Sequence, residues 1–154
     1  MTEKYTKRYE TGRYTLIAMA VFTFVNIILL WFNSDLYFIF SASIPYFTAI
    51  MPWVLAVEIS SYTSWIFPMT VAAILMLVPY VLTFFLGKSP AKYGWMIFSL
   101  VCFAIDTAGY FVLFGISVET LIDLVIHIWV LVSLIMAVHA GVKLKETDAV
   151  TPLQ

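Results

Sequence analysis

LYFIFSASIPYFTAIMPWVLAV, residues 36–57, is an apolar run of 22 residues that is interrupted by Pro45 and Pro52. A helix of about 20 apolar residues is long enough to cross the hydrocarbon core of a bilayer. Proline, however, lacks a backbone donor and bends or breaks a helix. The run is therefore long enough to span a membrane, but it is broken like a segment that dips into the membrane or lies at its surface.

The rest of the chain is equally apolar. Of the 154 residues, 63% are hydrophobic and 11% are charged, whereas soluble domains average about 45–50% and about 25%. Such a chain cannot cover itself with a water-facing surface, and its net charge of −1 offers no basic patch for nucleic acid. These properties exclude a soluble enzyme, a nucleic-acid-binding protein and a disordered linker. We predict an all-α integral membrane protein.

Four other apolar runs are predicted to cross the bilayer, because each has about 20 residues. These spans are 15–32, 65–86, 95–114 and 121–142. The segments outside them are 1–14, 33–64, 87–94, 115–120 and 143–154. All of them belong to a single membrane domain, 1–154.

The positions of the basic residues decide between four spans and five, because cytoplasmic loops carry an excess of Lys and Arg. If residues 36–57 span, four basic residues lie on each side of the membrane. If they do not, all eight lie on one side, and the opposite side carries only the acidic residues Asp35, Glu58 and Glu119. This favours an antiparallel four-helix transmembrane bundle with both termini cytoplasmic. Residues 33–64 then form an external interfacial or re-entrant segment.

The external segment is a candidate lid over the bundle. Because Asn, Ser and Asp are favoured helix N-caps, Asn33–Asp35 predicts the start of a helix. A segment at membrane depth must be covered by protein, since unpaired backbone groups cannot face lipid. It is either a structural lid or a gate over a cavity open to the outside or to the outer leaflet. The candidate lid residues are Ser41, Ser43, Pro45, Pro52 and Glu58.

Three of the predicted spans place polar side chains at similar depths. With a rise of about 1.5 Å per residue, Asn26, Asp106 and His127 fall in one layer near the middle of the bilayer. Tyr110 and Asp123 form a second layer one turn nearer the outside. Ionisable groups in the hydrocarbon are costly and are the first place to look for function. All five are therefore candidate ligand- or proton-binding residues.

Four interpretations of this cluster remain open. It is a hydrogen-bonded structural network, or a site that binds or moves a proton or small cation, since proton relays combine carboxylate and imidazole. In the third interpretation Asp106, Asp123 and His127 hold a divalent metal, although no HExxH motif is present. The fourth is a Ser–His–Asp hydrolase that uses a lid serine, although no G-x-S-x-G motif is present.

Three functional classes follow. The sequence favours a protein that binds or moves a small cation, a proton or a lipid-like ligand. The alternatives are an accessory subunit with a purely structural cluster, and a metal-dependent intramembrane hydrolase or transferase. Four spans are few for a complete carrier, so transport would favour a homodimer or a larger membrane complex. The lipid bilayer is the expected partner, and short loops without a soluble domain are typical of a prokaryotic plasma membrane.

Overall fold

The structure is a computed structural model that describes residues 2–115, 117–118 and 120–150, the last three of these by their backbone alone. All regular elements in this part of the chain are helical. The α-helices are α1 (Thr2–Trp31), α2 (Ser43–Glu58), α3 (Ile66–Leu75), α4 (Val78–Leu86), α5 (Gly94–Phe114) and α6 (Leu121–Val150). Short 3₁₀ helices cover Ser60–Trp65 and Pro90–Lys92.

Four helical segments are long and apolar enough to cross a membrane: Thr2–Trp31, Ser60–Leu86, Gly94–Phe114 and Leu121–Thr147. Helix α2 has 16 residues and is not among them. The predicted four-helix membrane fold is therefore confirmed. Helices α1 and α6 continue beyond the predicted spans, and α6 includes part of the predicted 143–154 tail. Met1, Ile116, Glu119 and residues 151–154 lie outside the described residues.

The spans form an antiparallel bundle in which α1 packs against α4 and α6, and α5 closes the ring between them. Hydrogen bonds near one end join α1 to the segment after α4, where the Tyr9 hydroxyl donates to the Gly87 carbonyl at 2.9 Å. The Thr83 and Ser99 hydroxyls, 2.6 Å apart, join α4 to α5. We call the end that carries Thr2 and Val150 the termini end, and the opposite one the hairpin end.

The second span is broken between α3 and α4. Pro79, near the start of α4, has no N–H to donate to the turn before it. Met76 and Leu77 lie between the two helices, and the Leu77 N–H donates to the Ile74 carbonyl at 3.0 Å. The span continues past this break as α4, which brings Thr83 against α5.

Asn33 ends α1. Its φ is 50°, and the Ser34 N–H donates to the Leu29 carbonyl at 3.0 Å while the Asn33 N–H donates to the Leu30 carbonyl at 3.1 Å. This is the Schellman pattern of a helix C-terminus, in which Asn tolerates the left-handed conformation. The prediction that a helix starts at Asn33–Asp35 is therefore wrong, since α2 begins only at Ser43.

Residues 34–58 form a re-entrant hairpin, the second of the two forms predicted for this segment. Residues 34–42, which we call the descending arm, are not helical and run from the hairpin end into the bundle. At the end of this arm the Ala42 N–H lies 2.7 Å from the Thr23 hydroxyl. Thr23 is eight residues before Trp31 in α1, which corresponds to about 12 Å along the helix axis. Helix α2 then returns beside α3, and the Trp53 and Trp31 ring centroids lie 5.6 Å apart.

The topology predicts opposite labelling of two engineered cysteines in a Cys102→Ala background. A membrane-impermeant maleimide added to intact cells should label Ser60→Cys, at the hairpin end. Lys88→Cys, between α4 and α5, should react only after permeabilisation if the termini are cytoplasmic. Labelling of both positions from the same side would contradict the four-span fold.

Helices α1 and α6 approach each other closely at Gly12, where an added Cβ would overlap the Ala137 Cβ. Small residues allow such close helix packing in membranes. We expect Gly12→Ala to reduce the free energy of unfolding by about 1–3 kcal/mol, the usual cost of overpacking. Gly94→Ala is the matched control because a Cβ there meets nothing within 4 Å. Equal unfolding midpoints in detergent for both variants would show that this close contact is absent.

Candidate functional site

The buried carboxylate of Asp106 caps the N-terminus of α2 inside the bundle. Its Oδ2 accepts a hydrogen bond from the Ser43 N–H at 3.0 Å, and its Oδ1 accepts one from the Ile44 N–H at 2.7 Å. The first N–H groups of a helix lack partners within the helix and form the positive end of its dipole. Ala42 is at the N-cap and makes no side-chain cap. A carboxylate on α5 therefore supplies the cap that the local sequence lacks.

His127 on α6 also contacts the start of α2. We call Asp106, His127 and Ser43 together the α2 anchor. Its Nε2 lies 3.3 Å from Asp106 Oδ2 and 3.0 Å from Ser43 Oγ. Its Nδ1 lies 2.8 Å from the backbone carbonyl oxygen of Asp123, which can only accept, so Nδ1 carries a proton. When His127 is doubly protonated, Nε2 donates towards Asp106 and the two residues form a buried ion pair.

Aromatic rings hold the imidazole of His127 in place. The ring lies between Phe103 and Tyr110, with centroid distances of 5.5 and 4.9 Å and interplanar angles of 11° and 22°. Stacking on both faces fixes the ring plane, so that Nε2 stays directed at Asp106 and Ser43.

Helix α1 holds the descending arm of the hairpin with two polar side chains. The Asn26 amide donates to the Phe38 carbonyl at 2.8 Å, and its Oδ1 accepts from the Phe38 N–H at 2.8 Å. The Thr23 hydroxyl accepts from the Ala42 N–H and donates to the Met19 carbonyl at 2.8 Å. These bonds satisfy backbone groups that would otherwise be unpaired at membrane depth, where each unpaired group is costly.

Four of the five predicted site residues, all but Asn26, are linked to one another by described contacts. Asp106 and His127 meet directly, whereas Asn26 makes its described side-chain hydrogen bonds to Phe38. The Tyr110 hydroxyl donates to the Thr120 carbonyl at 3.2 Å and approaches Asp123 Oδ2 at 3.5 Å. Tyr110 and Asp123 also contact His127, the first by ring stacking and the second through its backbone carbonyl, so the predicted layers correspond to one connected cluster and to the separate contact of Asn26 with Phe38.

The predicted lid residues also lie at different places in the structure. Ser43 belongs to the anchor, and the buried Ser41 hydroxyl lies 3.0 Å from the Tyr37 hydroxyl. Pro45 and Pro52 are buried in the first turn and the middle of α2, whereas Glu58 is exposed at its end. Glu58 is therefore not part of the cluster.

The predicted metal ligands Asp106, Asp123 and His127 do not converge. Both Asp106 oxygens accept from backbone N–H groups, and His127 contacts the backbone of Asp123 rather than its carboxylate. Within residues 2–115, 117–118 and 120–150, no group of three or more His, Cys, Asp or Glu residues could hold a metal ion. The cluster geometry therefore does not support the metal hypothesis.

Ser43 and His127 lie close enough to act as nucleophile and general base, but the surroundings do not suit acyl transfer. The N–H groups of Ser43 and Ile44, the nearest potential donors to an oxyanion, already bond to Asp106. Asp106 also lies at Nε2 of His127, the atom facing the serine, whereas a triad places the carboxylate at Nδ1. The arrangement is built to hold α2 in place.

Sequence reasoning missed Thr23, Phe103 and the anchoring role of Ser43. Thr23 could have been found, because it lies three residues before Asn26 on the same face of α1. The contact of Phe103 with His127 depends on how α5 and α6 pack, which neither helix specifies alone.

A cavity of about 440 Å³ lies beside the anchor, between α2, α5 and α6. The polar groups at one end of the cavity are the half-buried carboxylate of Asp123 and the hydroxyl groups of Ser43 and Tyr110. Burial raises the pKa of Tyr37 to about 12 and also raises that of Tyr46, so both phenols are neutral at physiological pH. The described lining residues are Tyr37, Ser43, Tyr46, Phe47, Ile50, Val54, Tyr110, Phe114, Thr120 and Asp123.

A second opening, of about 620 Å³, lies on the other side of α2 towards α3. It shares Phe47 with the first cavity, and none of its described lining residues is charged. Its lining is Phe47, Thr48, Met51, Pro52, Leu55, Ser61, Tyr62, Trp65 and Met69. Helix α2 therefore has an open apolar space on each side.

No protein-family model, curated protein or solved structure significantly matches this chain. The function is therefore inferred from the geometry of the site.

The anchor geometry predicts that Asp106→Asn lowers stability. The amide keeps one acceptor but turns an NH₂ group towards a backbone N–H, leaving a buried donor without a partner. Such a loss costs about 1–3 kcal/mol. Asp123→Asn is the matched control and should not lower stability, because this side chain is half-buried and its nearest described partner is 3.5 Å away.

Unfolding midpoints of the purified proteins in detergent measure both variants. A higher midpoint for Asp106→Asn would contradict the structural role, because removal of a functional charge often stabilises a fold.

Proposed function

We propose that this small multi-pass membrane protein binds a single-chain, lipid-like amphipathic molecule in the cavity between α2, α5 and α6. The cavity itself carries the proposal. Its volume of about 440 Å³ falls within the range of about 300–1,000 Å³ typical of ligand sites. Aromatic and aliphatic walls with a few polar groups at one end also match the two parts of an amphiphile.

The surroundings of the cavity support entry from the lipid. Val54 and Phe114 line it and are 56% and 45% exposed, so apolar side chains flank its opening. A hydrocarbon chain could enter between α2 and α5 without crossing water. Helix α2 forms one wall, and the Asp106–His127 anchor sets the position of that wall.

The deep polar residues support binding more than transport of a proton or small cation. Both oxygens of Asp106 accept hydrogen bonds from the first N–H groups of α2. Both Nδ2 and Oδ1 of Asn26 are hydrogen-bonded to the backbone of Phe38. Protonation of Asp106 would weaken its bonds to the first N–H groups of α2, so a proton relay through this residue would loosen the hairpin. In the proposed function these groups shape the cavity and do not contact the ligand.

An accessory subunit of a homodimer or larger membrane complex is the second candidate. The structural use of Asp106 and His127 favours it, because that hypothesis requires a purely structural cluster. In that case the protein would co-purify with its partner. Under either function we propose a prokaryotic plasma membrane with both termini cytoplasmic, because the eight basic residues lie towards the termini end.

Native mass spectrometry tests ligand binding with three amphiphiles of equal chain length: hexadecylamine, monopalmitoylglycerol and hexadecyl phosphate. The wild type should retain at least one of them after release from detergent. Ile50→Trp fills the cavity and should reduce retention roughly tenfold, a change of about 1.4 kcal/mol in binding. The control Val112→Trp, at an 85% exposed position outside the cavity, should retain it.

Unfolding midpoints without ligand must be similar for both tryptophan variants, which shows that each one folds. Absence of retention in the wild type, or equal retention in Ile50→Trp, would contradict the proposed function.

A further inference from the structure

We infer that the polar group of the bound amphiphile is a cationic amine, held by the Asp123 carboxylate and the aromatic rings of the cavity. This inference rests on the proposed function and names the ligand class that the cavity would take.

The basic side chain nearest to the Asp123 carboxylate is His127, which interacts with it electrostatically but directs both of its ring nitrogens elsewhere. The described hydrogen-bond contact of this carboxylate is to the Tyr110 hydroxyl at 3.5 Å, and within the described part of the chain it forms no salt bridge. His127, the nearest basic side chain, directs Nε2 at Asp106 and Nδ1 at the Asp123 backbone. A half-buried carboxylate without a direct ion-pair partner is costly to desolvate, and a bound ammonium group would offset that cost.

The cavity walls are rich in aromatic rings that pack in pairs. Centroids lie 5.0 Å apart for Tyr37 and Tyr46, and 5.1 Å apart for Tyr110 and Phe114. Phe47 lies edge-on to Phe114 at 5.6 Å. Ring faces attract ammonium groups, most strongly where water is excluded. The rings and the carboxylate therefore favour the same kind of charge.

The distribution of charged residues along the bundle also favours a cationic ligand. The Lys and Arg residues all lie in 1–14, 87–94 and 143–145, towards the termini end. The exposed acidic residues Asp35 and Glu58 lie on the hairpin segment. A surface field of one sign attracts ligands of the opposite sign, so the hairpin end favours a cation.

Other ligand classes fit less well. A phosphate or carboxylate headgroup would meet Asp123 and find no Lys or Arg among the residues that line the cavity. A neutral glycerol headgroup could bond to the hydroxyl groups but would leave Asp123 without a direct ion-pair partner. The test separates these classes.

Competition among equal amounts of the three amphiphiles tests the headgroup, again by native mass spectrometry. The wild type should retain hexadecylamine roughly tenfold over monopalmitoylglycerol, equivalent to about 1.4 kcal/mol, and hexadecyl phosphate least. Asp123→Asn should abolish this preference without reducing retention of the neutral amphiphile. Glu58→Gln removes an acidic group outside the cavity and should leave the preference unchanged, which separates local recognition from the general field.

Two outcomes would overturn the inference and leave the proposed function intact: retention of all three amphiphiles equally by the wild type, or an unchanged amine preference in Asp123→Asn. Failure of the proposed function is distinguishable, because then no amphiphile is retained or Ile50→Trp retains as much as the wild type.

Discussion

The fold depends on one constraint: a helix that begins inside a membrane exposes N–H groups that neither water nor lipid can satisfy. Helix α2 begins in this position, and its sequence around Ala42 provides no cap. The two oxygens of Asp106 supply the missing acceptors, and Nε2 of His127 lies 3.3 Å from one of them. The re-entrant hairpin is therefore stabilised at its deepest point by residues from two other helices. Without them, the beginning of α2 would have to move towards water.

The same logic explains the descending arm and the cavity. Asn26 pairs with both backbone groups of Phe38 as a neighbouring strand would, so a non-helical segment can lie in the bundle without exposing its backbone to lipid. Both arms of the hairpin are held in this way. The cavity lined by Tyr46, Phe47 and Asp123 lies between α2, α5 and α6. The polar residues deep in the membrane thus determine the shape of a mainly apolar space.

Much of this architecture is predictable from the sequence. Hydropathy and the one-sided distribution of Lys and Arg predict four spans, and the count along α5 and α6 places Asp106 level with His127. The partners of these residues are not predictable in the same way. Depth along a helix does not show that Asp106 accepts from the backbone of residues 43–44, because that contact joins segments 62–63 positions apart. Local rules misplaced the start of α2 because Asn33 suits a helix C-terminus as well as an N-cap.

The sequence separation between Ser43 and Asp106 has a consequence for biosynthesis. A ribosome releases α2 before it has made the carboxylate and the imidazole that anchor it, so the hairpin first exists without its cap. Until α5 and α6 are inserted, the start of α2 must keep its N–H groups hydrated near the membrane surface. Entry of the hairpin into the bundle is therefore a late step of assembly, in which an early part of the chain takes its final place after the last helix has arrived.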